Sequence, residues 1–326
     1  MKAGKLSESV LKRSVLRQLY TEGEAMLVQP AVGMDFGAAA IRAGESVIAA
    51  TAVRCLGGAV LPAAGVYAAL NNLVCSGARP LGIMTGLLLP TSCSENELRD
   101  RMAAVREVCE KEKLPVLGGH TEVVRSVTEP VLTVHAIGAV EKEKLITAAA
   151  VRPGMDILVT KWIGLEGTLI LARQREEELR SRYAQPFIDR AKKYADYLSV
   201  RSEAAVAAQS GVAAMHDISE GGIFGALWEM GQCSGVGLEI DLKKIPIRQE
   251  TVEICEFFDV NPYKLVSGGS LLMAADDGNA LVQAITRTGG TAAVIGKATD
   301  SNDRVLINGE ERRFLETTQT DELWKI

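Results

Sequence analysis

The chain has 326 residues, 47% of them hydrophobic and 24% charged, with a formal net charge of −5. That length allows about two domains of roughly 150 residues, each able to bury a core. The composition excludes a disordered polyelectrolyte, and the acidic balance gives no attraction for a nucleic-acid backbone.

The opening MKAGKLSESVLKRSVL has no apolar h-region, and no later stretch makes an unbroken apolar span of about 18 residues. The expectation is a cytoplasmic protein with no membrane and no nucleic-acid partner. Six scattered cysteines (Cys55, Cys75, Cys93, Cys109, Cys233, Cys255) form no C-x-x-C pair, which argues for reduced, mostly buried thiols and against zinc.

Apolar residues at helical spacing in LSESVLKRSVLRQLY (6–20) predict a short amphipathic helix, and SVIAATAV (46–53) reads as a strand. GVYAALNNLVCSGARP (65–80) follows a helical pattern to a corner where Gly77 supplies a C-terminal cap and Pro80 forbids continuation. LGIMTGLLLP (81–90) is the next strand. Ser94 and Glu97 form an S-x-x-E capping box that opens a helix running to about Lys113. A GGHT loop (118–121) follows an apolar strand end, and PVLTVHAIGAVE (130–141) is a further strand. The Pro-Gly turn VRPGMD (151–156) divides the chain into domains 1–150 and 151–326. In the second half MDILVTK (155–161) is a strand, and GLEGTLILARQREEELRSR (164–182) and GGIFGALWEMGQC (221–233) are helices. This alternation predicts layered α/β architecture.

Four glycine-centred loops stand out: VGMDFG (32–37), GGHT (118–121), HDISEGG (216–222) and SGGS (267–270). Such loops at strand ends and helix starts present backbone N–H groups to phosphate oxygens, but they are also ordinary turn chemistry. Neither the P-loop pattern nor the dinucleotide fingerprint occurs.

Taken in order, GKLSESVLKRSVL, VGMDFGAAAI, NNLVCSGARPLGIMTGLLLP, LGGHTEVV, VTKWIGLEGTLILA, HDISEGGIFGALWEM and LVSGGSLLMA resemble the PurM-like (aminoimidazole ribonucleotide synthetase-related) superfamily. The opening GKL and the V-T-K-x-I-G-x-E-G-T segment are most similar to its HypE branch. The resemblance spans about Gly4 to Ala298. It implies a two-domain α/β protein that forms a homodimer through its N-terminal domains, whose sheets join in a barrel. It also implies ATP and Mg²⁺ as cofactors, phosphoryl transfer to an oxygen of a small-molecule, amide or carbamoyl substrate, and a metallo-enzyme maturation partner. In that transfer, positioning and charge neutralisation dominate.

Carried onto this chain, the family pattern puts Asp35 at the metal and nucleotide. Asn72, Gly118, Gly119, Thr121, Gly221 and Gly222 fall at the nucleotide, and Asp217, His120 and Lys161 at the chemistry. The chain departs from its relatives at several acids. GMDFG keeps Asp35 but has Phe36 at the second acid, Asn71-Asn72-Leu73 replaces N-D-I, and His120 replaces the acid of G-G-D-T. Magnesium prefers hard oxygen ligands, so an imidazole there fits a phosphate hydrogen bond better than a metal. HypE proteins end in a carbamoyl-accepting cysteine, whereas ELWKI closes this sequence. The HypE reaction is therefore not expected in its usual form.

Each candidate also has a plain structural role. His120 is a ligand-facing group or a loop residue, and Asp217 a cleft acid or a helix cap. Lys161 is a phosphate partner or an exposed lysine, Asn71 and Asn72 are phosphate contacts or helix-end caps, and His135 in its strand reads as a core histidine. The leading expectation is an ATP-dependent phosphoryl-transfer enzyme. The alternatives are a catalytically silent nucleotide- or metabolite-binding dimer and aminoimidazole ribonucleotide synthetase itself.

Overall fold

The structure, a computed structural model, describes residues 4–5, 8–22, 26–28, 38–55, 62–316 and 320–326. The chain divides into two compact units: Met1–Leu73 with Ala78–Leu145, and Val74–Gly77 with Ile146–Ile326.

The first unit contains β1 (Gly4–Lys5), α1 (Glu8–Val10, continued by irregular helical turns to Gln18), β2 (Met26–Val28) and β3 (Ala38–Ala39). It continues with β4 (Glu45–Cys55), α2 (Pro62–Val74), β5 (Arg79–Pro90), α3 (Glu95–Glu112), β6 (Val116–Val124) and β7 (Val131–Glu141). Five strands form a sheet in the order β1-β6-β5-β7-β4, antiparallel except for the parallel β5–β6 pair. Period-two patterning explains its two faces. β7 buries Leu132, Val134 and Ala136 and turns Thr133, His135 and Ile137 the other way. The buried face meets α2, whose Leu73 lies against Gly138. The opposite face carries Val47, Val53 and Met84, each more than a third exposed.

The expected GGHT loop is instead the middle of β6, and neither Gly118 nor Gly119 has a positive φ. Non-local packing explains the glycine: a Cβ on Gly119 would collide with the backbone carbonyl oxygen of Thr85 on the neighbouring β5. The Ser94 capping box forms as expected, with the Glu97 N–H donating to Ser94 Oγ at 3.2 Å and the Ser94 N–H to Glu97 Oε2 at 2.7 Å.

The second unit runs β8 (Asp156–Thr160), α4 (Leu165–Gln174), α5 (Glu176–Leu179), α6 (Gln185–Lys192), α7 (Arg201–Gln209), β9 (Ala214–Ile218) and α8 (Gly222–Ser234). It ends with β10 (Gly237–Asp241), α9 (Gln249–Phe257), β11 (Ser270–Ala275), α10 (Gly278–Arg287), β12 (Ala292–Thr299), β13 (Arg304–Asn308) and β14 (Glu311–Phe314). Seven strands order as β14-β13-β10-β12-β8-β11-β9. β11 is buried along its whole length, as a continuous apolar run requires. Phe224, Leu227 and Met230 of α8 join Ile157, Val159 and Leu272 in one core. The helix expected over 164–182 breaks at Arg175, which lets Leu179 enter a second cluster with Leu171, Ile188 and Ile254.

Candidate functional site

Three glycine segments of the second unit converge: Gly164–Gly167 opening α4, Asp217–Gly222 between β9 and α8, and Ser267–Ser270 before β11. Ser267 is their hinge. The Gly164 N–H donates to Ser267 Oγ at 2.6 Å, the Ser267 N–H to Ser219 O at 3.3 Å, and the Gly167 N–H to Val266 O at 2.9 Å. Two carboxylates are buried in these segments: Glu166 is 1% exposed and Asp217 3%. Gly268 gives Glu166 its room, because a Cβ there would collide with Glu166 Oε2. Asp217 lies in β9 and is not a cap; α8 starts on Gly221, which has no side chain. The carboxylate of Asp217 also adds to burial in pushing the Cys75 thiol well above its ordinary range.

Lys161 sits just past β8 at φ 56°, an uncommon conformation for a residue with a Cβ. It is not the exposed lysine the sequence allows. Its Nζ donates to Ser199 O at 2.6 Å and Gly269 O at 3.0 Å and lies 2.8 Å from Glu203 Oε1, with both side chains below a tenth exposed. Lys161 thus ties the Ser267–Ser270 segment to the region around α7. Next to it, the Arg248 guanidinium lies 3.3 Å from the Trp162 ring centroid, with Tyr194 and Tyr197 completing a box of rings.

The first turn of α8 is already supplied with acceptors. The Gly221 N–H donates to Asp321 Oδ2 at 2.7 Å, the Gly222 N–H to Ser219 O at 3.1 Å, and the Phe224 N–H to Tyr263 O at 3.1 Å. Gly222, at φ 62°, has no space for a Cβ, which would lie 2.5 Å from Tyr263 O. These glycines serve close backbone packing as the chain stands. Asp321 is 5% exposed, and burial raises its carboxyl above the ordinary range, opposed by the N–H groups of Leu323, Gly221 and Val266.

In the first unit Gly118, Gly119, His120 and Thr121 are consecutive on β6. His120 is exposed, and its Nε2 lies 3.2 Å from Glu122 Oε2, two residues on along the same face. His135 is no core histidine. It is exposed beside Thr51, with Nδ1 2.9 Å from the hydroxyl, on the outward sheet face. Asn72 is exposed on α2, whereas Asn71 is buried. Asp35 lies outside the described residues. Among the described residues no three His, Cys, Asp or Glu side chains converge to hold a metal ion, and no chemistry is routed through Mg²⁺. No helix among them is long and apolar enough to cross a membrane.

Sequence reasoning reached Glu166 only as Lys161's neighbour and Ser267 only as part of the SGGS loop, and passed over Glu203 and Asp321. Asp321 alone carried a local signal, since an acid three residues before Trp324 opens the terminal helical turn and accepts the Leu323 N–H.

The two sheet units correspond to two family models. Residues 37–140 match the N-terminal domain and residues 152–308 the C-terminal domain of AIR synthase related protein. The chain belongs to the AIR synthase related family. Among AIR synthase related proteins, it is 29% identical over 239 residues to the carbamoyl dehydratase HypE of Rhodobacter capsulatus, covering 72% of this chain and 68% of that protein. A second HypE, from Cupriavidus necator, is 26% identical over 271 residues, 78% of this chain and 72% of its own. The fold is that of a hydrogenase maturation protein HypE solved in complex with ATP, at TM-score 0.80 and 18% identity over 98% of this chain and 97% of that one. The expected PurM-like α/β architecture and the HypE resemblance are thus both met.

Proposed function

We propose that this AIR synthase related protein binds ATP and transfers its terminal phosphoryl group to an oxygen of a small-molecule, amide or carbamoyl substrate. The observation that supports this most is the match of both family domains together with the near-complete likeness to a HypE solved with ATP. In this proposal Asp217 and Glu166 are the acids that act from the converging glycine segments of the second unit. Gly118–Thr121 of β6, of which Gly119 and His120 are exposed, contribute to nucleotide binding with Asn72 and Asp35, and His120 offers its imidazole to a phosphate oxygen. Lys161 acts by fixing the Gly269 carbonyl, and Gly221 and Gly222 by shaping the start of α8. The working form is a cytoplasmic homodimer that covers the outward face of the first unit's sheet, where Val47, Val53 and Met84 are exposed, and a metallo-enzyme maturation factor is its partner class.

A second proposal is a nucleotide- or metabolite-binding dimer without turnover. It draws on the absence, among the described residues, of a metal-binding acid group, and on the amides of α8 already engaged by the chain itself. Calorimetric titration with ATP and ADP, with and without Mg²⁺, separates the two. Metal-dependent binding tighter than about 100 μM, roughly −5.5 kcal/mol, followed by ADP release with a carbamoyl or amide substrate, supports the enzyme. Metal-independent binding without turnover favours the silent dimer. No binding at millimolar ATP overturns the phosphoryl-transfer enzyme and leaves the silent, metabolite-binding dimer in front.

A further inference from the structure

The last six residues, Asp321–Ile326, hold two consecutive acids that are almost fully buried, Asp321 at 5% and Glu322 at 4% exposure. Burying a carboxylate is costly unless its oxygens are well supplied with donors. Here the donors come from two separate segments. Asp321 accepts from Gly221 at the start of α8, from Val266 just before Ser267, and from Leu323 of its own turn. Glu322 accepts the Asn261 N–H at 3.2 Å, and its own N–H donates to Lys264 O. Leu323 and Ile326 pack against Cys255, Val260 and Leu265. The strap therefore crosses the stretch 261–266 and clamps it onto α8. At that clamp Gly221 and Gly222 are two successive residues with positive φ, at 81° and 62°.

We propose that Asp321 is a positioning residue, which holds the Asp217–Gly222 and Val266–Ser270 segments at the spacing that presents Asp217 and Glu166. The proposal rests on the phosphoryl-transfer assignment above for its functional consequence. A neutral side chain would fill the space but could not accept N–H groups from both segments with both of its polar atoms. Asp321→Asn has one acceptor and turns an NH₂ donor toward a backbone donor. Asp321→Glu keeps the charge on a longer arm and serves as a second variant.

The test is amide exchange combined with titration of a non-hydrolysable ATP analogue, on the full chain and on both variants, with circular dichroism to establish folding. The expected result is at least tenfold faster exchange at Gly221 and Val266 in D321N, unchanged exchange in β11, at least tenfold weaker analogue binding, and partial recovery of both in D321E. Unchanged exchange at Gly221 overturns the proposal, as does faster exchange with unchanged affinity. If the parent chain binds no nucleotide, the phosphoryl-transfer assignment falls, and the exchange of Gly221 and Val266 then decides whether Asp321 positions these segments.

Discussion

The Lys161 ammonium lies 2.8 Å from the Glu203 carboxylate across 42 residues of sequence, and neither side chain is a tenth exposed. Removing one partner of such a pair strands the other charge in a poor solvent, at a cost of about 3–5 kcal/mol, while replacing both by apolar groups costs far less. Lys161→Met is expected to lower urea-unfolding stability by that order. The double variant Lys161→Met with Glu203→Leu is expected to recover much of it. A double variant no better than the sum of the single ones would show that the pair is not coupled.

Two partly buried carboxylates give the protein an acid-sensitive component. Glu95 is held down to about 2, chiefly by its hydrogen bond from Arg13 and then by Ser14, and Glu176 to about 2 by Lys192 and then Gln185. A carboxylate lowered on folding stabilises the fold above its ordinary range, and that contribution is lost as pH falls from about 4.5 toward 2. Asp321, raised by burial, acts in the opposite sense: protonation favours the folded state. Thermal melts of Glu95→Gln and Glu176→Gln are expected to lie below the parent at pH 7 and to converge with it near pH 2.

Two glycines separate room from conformation. Gly119 is extended but has no space for a Cβ beneath Thr85, whereas Gly44 has φ 84° and nothing within 4 Å of a Cβ. Gly44→Ala is expected to cost about 1 kcal/mol through its backbone alone. Gly119→Ala must push β5 and β6 apart and is expected to cost more, about 1–3 kcal/mol. Equal melting shifts in the two variants would contradict the close β5–β6 approach.

The outward sheet face tests the proposed dimer. Val53 is 51% exposed and Met84 38%, so charging them leaves the single chain's core untouched. Light scattering on the parent is expected to give a dimer, and Val53→Lys with Met84→Glu a folded monomer. A monomeric parent at tens of micromolar would remove this face from the proposal.

Much of the architecture was legible because it is local. The Ser94 capping box, the strand pattern of β7 and the apolar run of β8 each need only neighbouring residues to be read. What escaped depends on distant ones. Gly118 and Gly119 look like a turn until Thr85 is brought beside them, and His135 looks like a core residue until its side of the sheet is known. Lys161 looks exposed until Glu203 arrives, and the α8 glycines look open to phosphate until Asp321 arrives from 100 positions away. Asp35, the acid carried over from the family pattern, falls outside the described residues.

The box of rings around Arg248 also gives the chain an optical signature. Of three tryptophans, Trp162 is 5% exposed inside that box and Trp324 is 67% exposed on the terminal strap. A shielded indole emits at shorter wavelength than a hydrated one, and a soluble quencher reaches the hydrated one first. With Trp324 quenched and Trp228, half-buried against the core under Arg304, replaced by Phe, emission at the blue edge follows the stretch between Lys161 and Gly164, so movement there can be watched without a label.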